Sequence, residues 1–319
     1  MGLVGLVDIA VYEVVVGYII SIGNMSAMRI GWVGLGQMGQ SHVANLLSKG
    51  FKDVIVWNRT ASVSEGAKAQ GAQVASSAKE VVERADVTFI MLSTPAAAKT
   101  VYTAEDGALA GLSPGKHIVD CASLDAEAMQ QLADWVESKD CSFLAAPVAG
   151  HSGMAANATC QFICAGNEDL FKKVSPAFDA MGKNSVFLGD DVKKAANMKL
   201  VINGMLANVT ASIAEGLSLS EKCGIKSETM VDILSKHGMN SKVLQFSMKT
   251  MFSGIHNPLF MLQHMLKDTR LSHDLAAAVG QTSLITAATQ TYYDKAIDMG
   301  LGKENWTAVK KAVAGKTDV

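Results

Sequence analysis

The sequence predicts an α/β fold, a parallel sheet with helices on both faces followed by an all-helical half, and three observations carry that prediction. From Arg29 to Thr60 the chain runs through a strand, a glycine turn, a helix and a second strand. Short apolar runs then alternate with helical spacings as far as Gly189. Beyond it the strand signal stops, and the stretch from about Val192 to Cys223 reads as one long helix.

The first unit is the most informative. Ile30 to Val33 is short and apolar, and it stops at Gly34. Leu35, Gly36, Gln37, Met38 and Gly39 then complete G-x-G-x-x-G where Val43, Leu46 and Leu47 begin a helical spacing. Gly34 makes the turn, Gly36 lets a pyrophosphate approach the backbone, and Gly39 lets helix and strand pack closely. The free N–H groups of the helix start face the anion. The glycines, with the flanking strand, the helix and Val54 to Trp57, make this a dinucleotide-binding βαβ unit.

The end of the second strand indicates which dinucleotide. An NAD site places Asp or Glu about 20 residues past the glycines to hold the ribose 2′-OH. This chain has Asn58, Arg59 and Thr60. A carboxylate would repel a 2′-phosphate, whereas a guanidinium grips it through a charge-assisted fork. The expected cofactor is NADP(H).

Composition narrows the class. The 319 residues suffice for two domains, and 49% hydrophobic residues give core for both. The formal net charge of -2 provides no field for nucleic acid or an anionic membrane. Five cysteines in no metal-like or C-x-x-C spacing read as buried thiols of a reduced protein, so no metal is expected and the expected compartment is the cytoplasm. Residues 1–28 read as an N-terminal extension. They lack the basic start of a secretory signal, and a membrane span would bury Glu13 near its centre at about 3 kcal/mol.

Along the chain, apolar strands end at Ser93-Thr94-Pro95, at Asp120 to Ser123, and at the run Ala146 to Gly150; Phe162 to Cys164 and Val186 to Leu188 follow. Ligands of open α/β sheets bind outside the carboxyl ends of strands, so these loops share a crevice with the glycine turn. The expected division is residues 29–191 for the dinucleotide-binding domain and 192–319 for an all-helical domain. The long helix joining them is apolar on more than one face. Helix breaks are expected near Gly224, His256-Asn257-Pro258 and Gly300 to Gly302.

Lys199 and Asn203 lie four apart on that helix and share a face. A lysine desolvated among Met198, Leu200, Val201 and Ile202 suits proton transfer near neutral pH, although a lysine whose stem merely covers apolar surface has the same pattern. Lys267 and Asp268 read as a surface pair, and His151 and His264 as structural histidines.

These motifs together resemble the β-hydroxyacid dehydrogenase family, which includes 3-hydroxyisobutyrate dehydrogenases, and within it the NADPH-dependent glyoxylate and succinic semialdehyde reductases. The resemblance spans Arg29 to about Val313 and rests on GLGQMG, VWNRT, DCASLDAE, APVAGHSG, NMKLVIN, AEGLSLSEKCG and FMLQHMLKDTRL. It implies a Rossmann domain and an all-α C-terminal substrate and dimerisation domain joined by a long interdomain helix, in a homodimer or homotetramer. It places the catalytic lysine at Lys199 and its amide partner at Asn203. It puts cofactor contacts at Lys267, Leu92 and Ser93, Ser123 by the nicotinamide, and substrate contacts at Ser123, Asp268 and the loop Ala149-Gly150-His151. The family's substrate-side Ser before Ser123 is Ala122 here, and the acidic residue before its PVSG run has become Ala145 or Ala146. The implied reaction is hydride transfer from NADPH to a small carboxylate-bearing aldehyde, with Lys199 protonating the oxygen. The alternatives are a 3-hydroxyisobutyrate-type or tartronate semialdehyde-type enzyme, or a cofactor-binding scaffold without turnover.

Overall fold

The computed structural model describes residues 28–254 and 256–314; the extension, apart from Met28, lies outside them. The chain divides into two compact units between Ala195 and Ala196.

The first unit is built on a sheet whose strands are β1 (Ile30–Val33), β2 (Val54–Trp57), β3 (Gln73–Val74), β4 (Val87–Ile90), β5 (His117–Asp120), β6 (Ser142–Ala145), β7 (Val148–Ala149), β8 (Cys160–Gly166) and β9 (Gly182–Phe187). Its order is β3-β2-β1-β4-β5-β6-β8-β7, with β9 on β8. The first six strands run parallel in the order 3-2-1-4-5-6, which is the doubly wound dinucleotide-binding arrangement. Both faces of such a sheet are covered, so β1 and β4 are buried at every position and carry no polar alternation. At β6 the sense reverses, because β8 pairs antiparallel to both β6 and β7.

The helices of this unit are α1 (Gln37–Ser48), α2 (Glu65–Ala69), α3 (Ala78–Arg84), α4 (Pro95–Thr103), α5 (Ala126–Glu137), α6 (Ser152–Ala156) and α7 (Glu168–Met181). Four begin on a side-chain cap: Ser77, Thr94, Asp125 and Asn167 each accept a backbone N–H of the first turn. The core centres on Trp32, stacked on Phe89 at 5.5 Å, with His42 buried between Trp32 and Phe162. Burial pushes the pKa of His42 down to about 4, so it sits in this aromatic core as a neutral ring.

The second unit contains α8 (Val192–Lys222) from Ala196 onward, with α9 (Ser227–Ser235), α10 (Lys242–Ser253), α11 (Leu262–Ala278), α12 (Leu284–Asp298) and α13 (Val309–Ala314). It has two helix breaks beyond those expected from sequence, at residues 236–241 and 279–283, the second passing through Gly280 at φ +73°. Its core joins Ala207, Ala214 and Leu217 of α8 to Met248, Met265, Tyr293 and Trp306. Four of the five cysteines are buried as expected; Cys223, at the end of α8, is exposed, because the helix terminates there ahead of Gly224 in the left-handed region.

Candidate functional site

In the first unit the three glycines of the turn do three different things. Gly34 has φ +99°, and a Cβ there would lie 2.2 Å from the Met91 carbonyl oxygen, so the turn hugs the end of β4. A Cβ on Gly39 would lie 2.1 Å from the Gly34 oxygen, which explains how tightly α1 packs on the turn. Among the described residues, a Cβ on Gly36 would meet nothing within 4 Å. Its missing side chain serves no packing within the protein; it leaves open room over the start of α1. That helix has no side-chain cap and no acidic residue in its first turn, so its leading N–H groups remain available to an anion. The arrangement fits a dinucleotide pyrophosphate.

The NRT turn is tied to this mouth. Asn58 accepts the Leu35 N–H through Oδ1 at 3.0 Å and donates through Nδ2 to the Thr60 carbonyl at 3.0 Å. Arg59 and Thr60 are exposed at its rim, as are Gly36 and Gln37, while Met38 is half-buried. Leu92 lies beside Gly34, and Ser93 is exposed ahead of the α4 cap.

At the end of β5, Asp120 is fully buried and Ser123 half-buried. Ala149 closes β7, and Gly150 follows at φ +154° with a Cβ position 2.7 Å from Cys160 Sγ, so only glycine makes this bend without displacing the thiol. His151 is half-buried at the start of α6, and burial holds its pKa below the ordinary histidine value.

In the second unit the structure brings four predicted residues into one network. Lys199 and Asn203 are both 4% exposed on the inward stripe of α8. Lys199 Nζ donates to Asn203 Oδ1 at 2.9 Å, and Asn203 Nδ2 donates to Asp268 Oδ2 at 2.6 Å. Lys267 Nζ stands 3.0 Å from Asp268 Oδ1 as a charge partner. Asp268 is 1% exposed, which corrects the reading of Lys267-Asp268 as a surface pair: the carboxylate is buried because two partners on α8 and α11 compensate it. An ionised carboxylate only accepts hydrogen bonds, so Asp268 fixes which way the Asn203 amide faces and leaves its oxygen toward the lysine. His264, one turn before Asp268, has its pKa lowered by burial and then by Lys267.

The sequence reading missed Gly204. A Cβ there would meet Ser272 Oγ at 2.3 Å and Ser272 Cβ at 3.0 Å, so α8 and α11 touch at this glycine and Asn203 comes within reach of Asp268. A glycine directly after Asn203 in a proline-free helix was the available signal. It also missed Asp120, whose partner Tyr102 lies 18 positions earlier on α4.

Residues 29–189 match the family model for the NAD binding domain of 6-phosphogluconate dehydrogenase. Residues 194–313 match that for the NAD-binding domain of NADP-dependent 3-hydroxyisobutyrate dehydrogenase. Glyoxylate/succinic semialdehyde reductase 1 of Arabidopsis thaliana is 35% identical over 90% of this chain and 98% of its own length. Human cytokine-like nuclear factor N-PAC is 36% identical over 89% of this chain, which spans 51% of that protein. The structure of Mycobacterium tuberculosis 3-hydroxyisobutyrate dehydrogenase superposes with a TM-score of 0.79 at 27% identity, over 89% of this chain and 98% of the other. The chain belongs to the β-hydroxyacid dehydrogenase family and is an oxidoreductase of hydroxyl and aldehyde groups that uses NADP(H).

Proposed function

We propose that the protein reduces small aldehydes bearing a carboxylate, glyoxylate and succinic semialdehyde first, with Lys199 as the proton donor. The observation that carries this reading is the buried relay Lys199–Asn203–Asp268, whose polarity leaves one ammonium with its proton aimed by an oriented amide. The relatives named glyoxylate/succinic semialdehyde reductase supply the substrate class.

NADPH, when bound, supplies the hydride. The chain does the rest. The open mouth at Gly36 and the uncapped start of α1 take the pyrophosphate, and Arg59 with Thr60 takes the 2′-phosphate. Lys199 Nζ hands a proton to the carbonyl oxygen as negative charge develops there, and Asn203 holds Nζ in direction. Lys199 and Lys267 bring cationic groups to this site, which suits an anionic substrate. Within the first unit, this reading gives the backbone N–H groups at Ala149-Gly150-His151 to the substrate carboxylate and the Ser123 hydroxyl to the nicotinamide.

The same reading assigns a homodimer. Met198, Val201, Met205 and Val209 form an exposed apolar stripe on α8, and Leu284 and Ile285 add side chains 76% and 71% exposed. Asn208 binds Thr286 at 3.1 Å and so joins the two patches into one face. A second copy covers it.

The test is steady-state NADPH oxidation with glyoxylate, succinic semialdehyde and a neutral aldehyde of similar size, for the unmodified protein and Lys199→Met. Turnover should fall by about 10²-fold in the variant while NADPH binding persists. Equal rates would remove Lys199 from the mechanism, and a preference for the neutral aldehyde would remove the carboxylate site. NADPH binding with no turnover on any carbonyl would favour the scaffold alternative.

A further inference from the structure

Asp120 ends β5 with no exposure at all, and among the described residues no cation contributes to its electrostatics. Oδ1 accepts the Ala122 N–H at 2.9 Å, and Oδ2 accepts the Tyr102 O–H at 2.8 Å. Tyr102, on α4, is itself fully buried. In register on either side lie Ile90 of β4 and Ala145 of β6, both apolar. The titratable groups against the carboxyl are therefore Tyr102 and the neighbouring Cys121 thiol, both driven further toward their neutral forms by burial. A carboxylate held only by two neutral donors is a costly way to close a strand, since an asparagine or serine could close the same turn uncharged.

What this carboxyl controls is the backbone just before Ser123. Cys121 N–H is already bound to the Ile90 carbonyl, and the Asp120 carbonyl to Ala146 N–H, so the strand end is fixed on both flanks. Only the side chain of Asp120 reaches forward to Ala122.

We propose that Asp120, braced by Tyr102, is a positioning residue that sets the Ala122–Ser123 turn for the reaction. Ionised, the carboxylate accepts both donors. With a proton on Oδ2 that oxygen becomes a donor to Tyr102, and the Tyr102 hydrogen loses its acceptor in a place water does not reach. Burial pushes Asp120 up to about 6, opposed first by the Ala122 N–H and then by Tyr102. The ionised fraction, and with it the turn, therefore declines as pH falls through about 6. Stability moves the other way for this group: below about 6 and above the ordinary carboxylate range the folded chain holds a proton that the unfolded chain releases, so its contribution to stability weakens as pH rises through that window.

The inference rests on the reading that the Ser123 loop borders the reacting centre, and the experiment separates the two. NADPH Kd and kcat/KM for the preferred aldehyde are measured from pH 5 to pH 8 in the unmodified protein, Asp120→Asn, Tyr102→Phe and Ser123→Ala. The unmodified protein should lose activity through an inflection near pH 6. Asp120→Asn should erase that inflection, and Tyr102→Phe, which strips one donor from the anion, should move it upward by about half a unit or more. NADPH Kd should weaken by about threefold or more in Asp120→Asn at pH 8, a readout independent of turnover. An inflection and Kd unchanged in Asp120→Asn would overturn the proposal; if that variant does not fold, an unmoved inflection in Tyr102→Phe overturns it. If Ser123→Ala alters neither Kd nor kcat/KM, the reading of the Ser123 loop falls, and the proposal with it.

Discussion

Truncating Asn203 to alanine removes the middle of the buried relay and leaves an ammonium and a carboxylate each one partner short. Its two hydrogen bonds, at 2.9 and 2.6 Å, both go to charged groups, and such bonds are worth about 1.5–3 kcal/mol apiece. Lys199, Asn203 and Asp268 are 4%, 4% and 1% exposed, so solvent does little to replace them. The vacated amide volume can admit a water, which lowers the net cost to about 2–4 kcal/mol. In a chain of this size that is a fall in melting temperature of about 3–6 °C. A double-mutant cycle with Asp268→Ala isolates the pair, and the expected coupling is about 1–3 kcal/mol. The rate should fall about tenfold or more, since every ~1.4 kcal/mol of lost orientation is a factor of ten. Denaturant unfolding and steady-state kinetics on the four proteins measure all of this. Additive stabilities within about 0.5 kcal/mol would show that the relay does not exist in solution, and the argument for an oriented Lys199 would go with it.

Arg59→Ala should weaken NADPH but not NADH, closing most of a preference expected to be at least tenfold, or ~1.4 kcal/mol; equal affinities in the unmodified protein would dismiss the 2′-phosphate reading. Gly36→Ala should fold with a stability change under about 1 kcal/mol, because nothing lies within 4 Å of its Cβ position, yet bind NADPH at least tenfold more weakly. Gly39→Ala should lose about 2 kcal/mol or more of stability as well, its methyl falling 2.1 Å from the Gly34 oxygen. Similar melting temperatures for the two variants would contradict the separate roles given to these glycines.

The first unit was legible because its elements are punctuated locally. Apolar β1 ends on a glycine that must have positive φ, and the helix after it begins without a capping side chain, so strand, turn and anion-binding start are written in consecutive residues. The two-residue β3 left no such trace, since Gln73 and Val74 are both exposed at the sheet edge and carry no apolar run. In the helical unit the breaks at residues 236–241 and 279–283 contain no proline, and one isolated glycine in a helical pattern weighs little against the residues around it. Lys199 and Asn203 could be paired from their spacing, but Asp268 stands 65 positions from Asn203. The close approach of α8 and α11 at Gly204 and Ser272 helps bring it there, and contacts of that range leave no period in a sequence.

Near its start α8 mixes polar residues into its buried stripe and apolar ones into its exposed face. Its inward stripe carries Lys199 and Asn203, whereas Met198, Val201, Met205 and Val209 face outward, at 42%, 44%, 63% and 44% exposure. Hydrophobic burial alone would rotate such a helix, since each apolar side chain brought inside is worth about 1.5–3 kcal/mol. What holds it in place is Ala207, Ala214 and Leu217 on the inward stripe, packed in the helical core, together with Asp268, which compensates the polar pair. Buried ionic groups are frequently replaceable by apolar ones without loss of stability, so folding alone does not call for a lysine at this position. In the proposed function a proton donor in a water-poor site is what the inward face provides. The proposed dimer would cover the outward one, and size-exclusion chromatography with light scattering on the unmodified protein and Met205→Asp tests it: a monomer in both would leave the exposed stripe without an occupant.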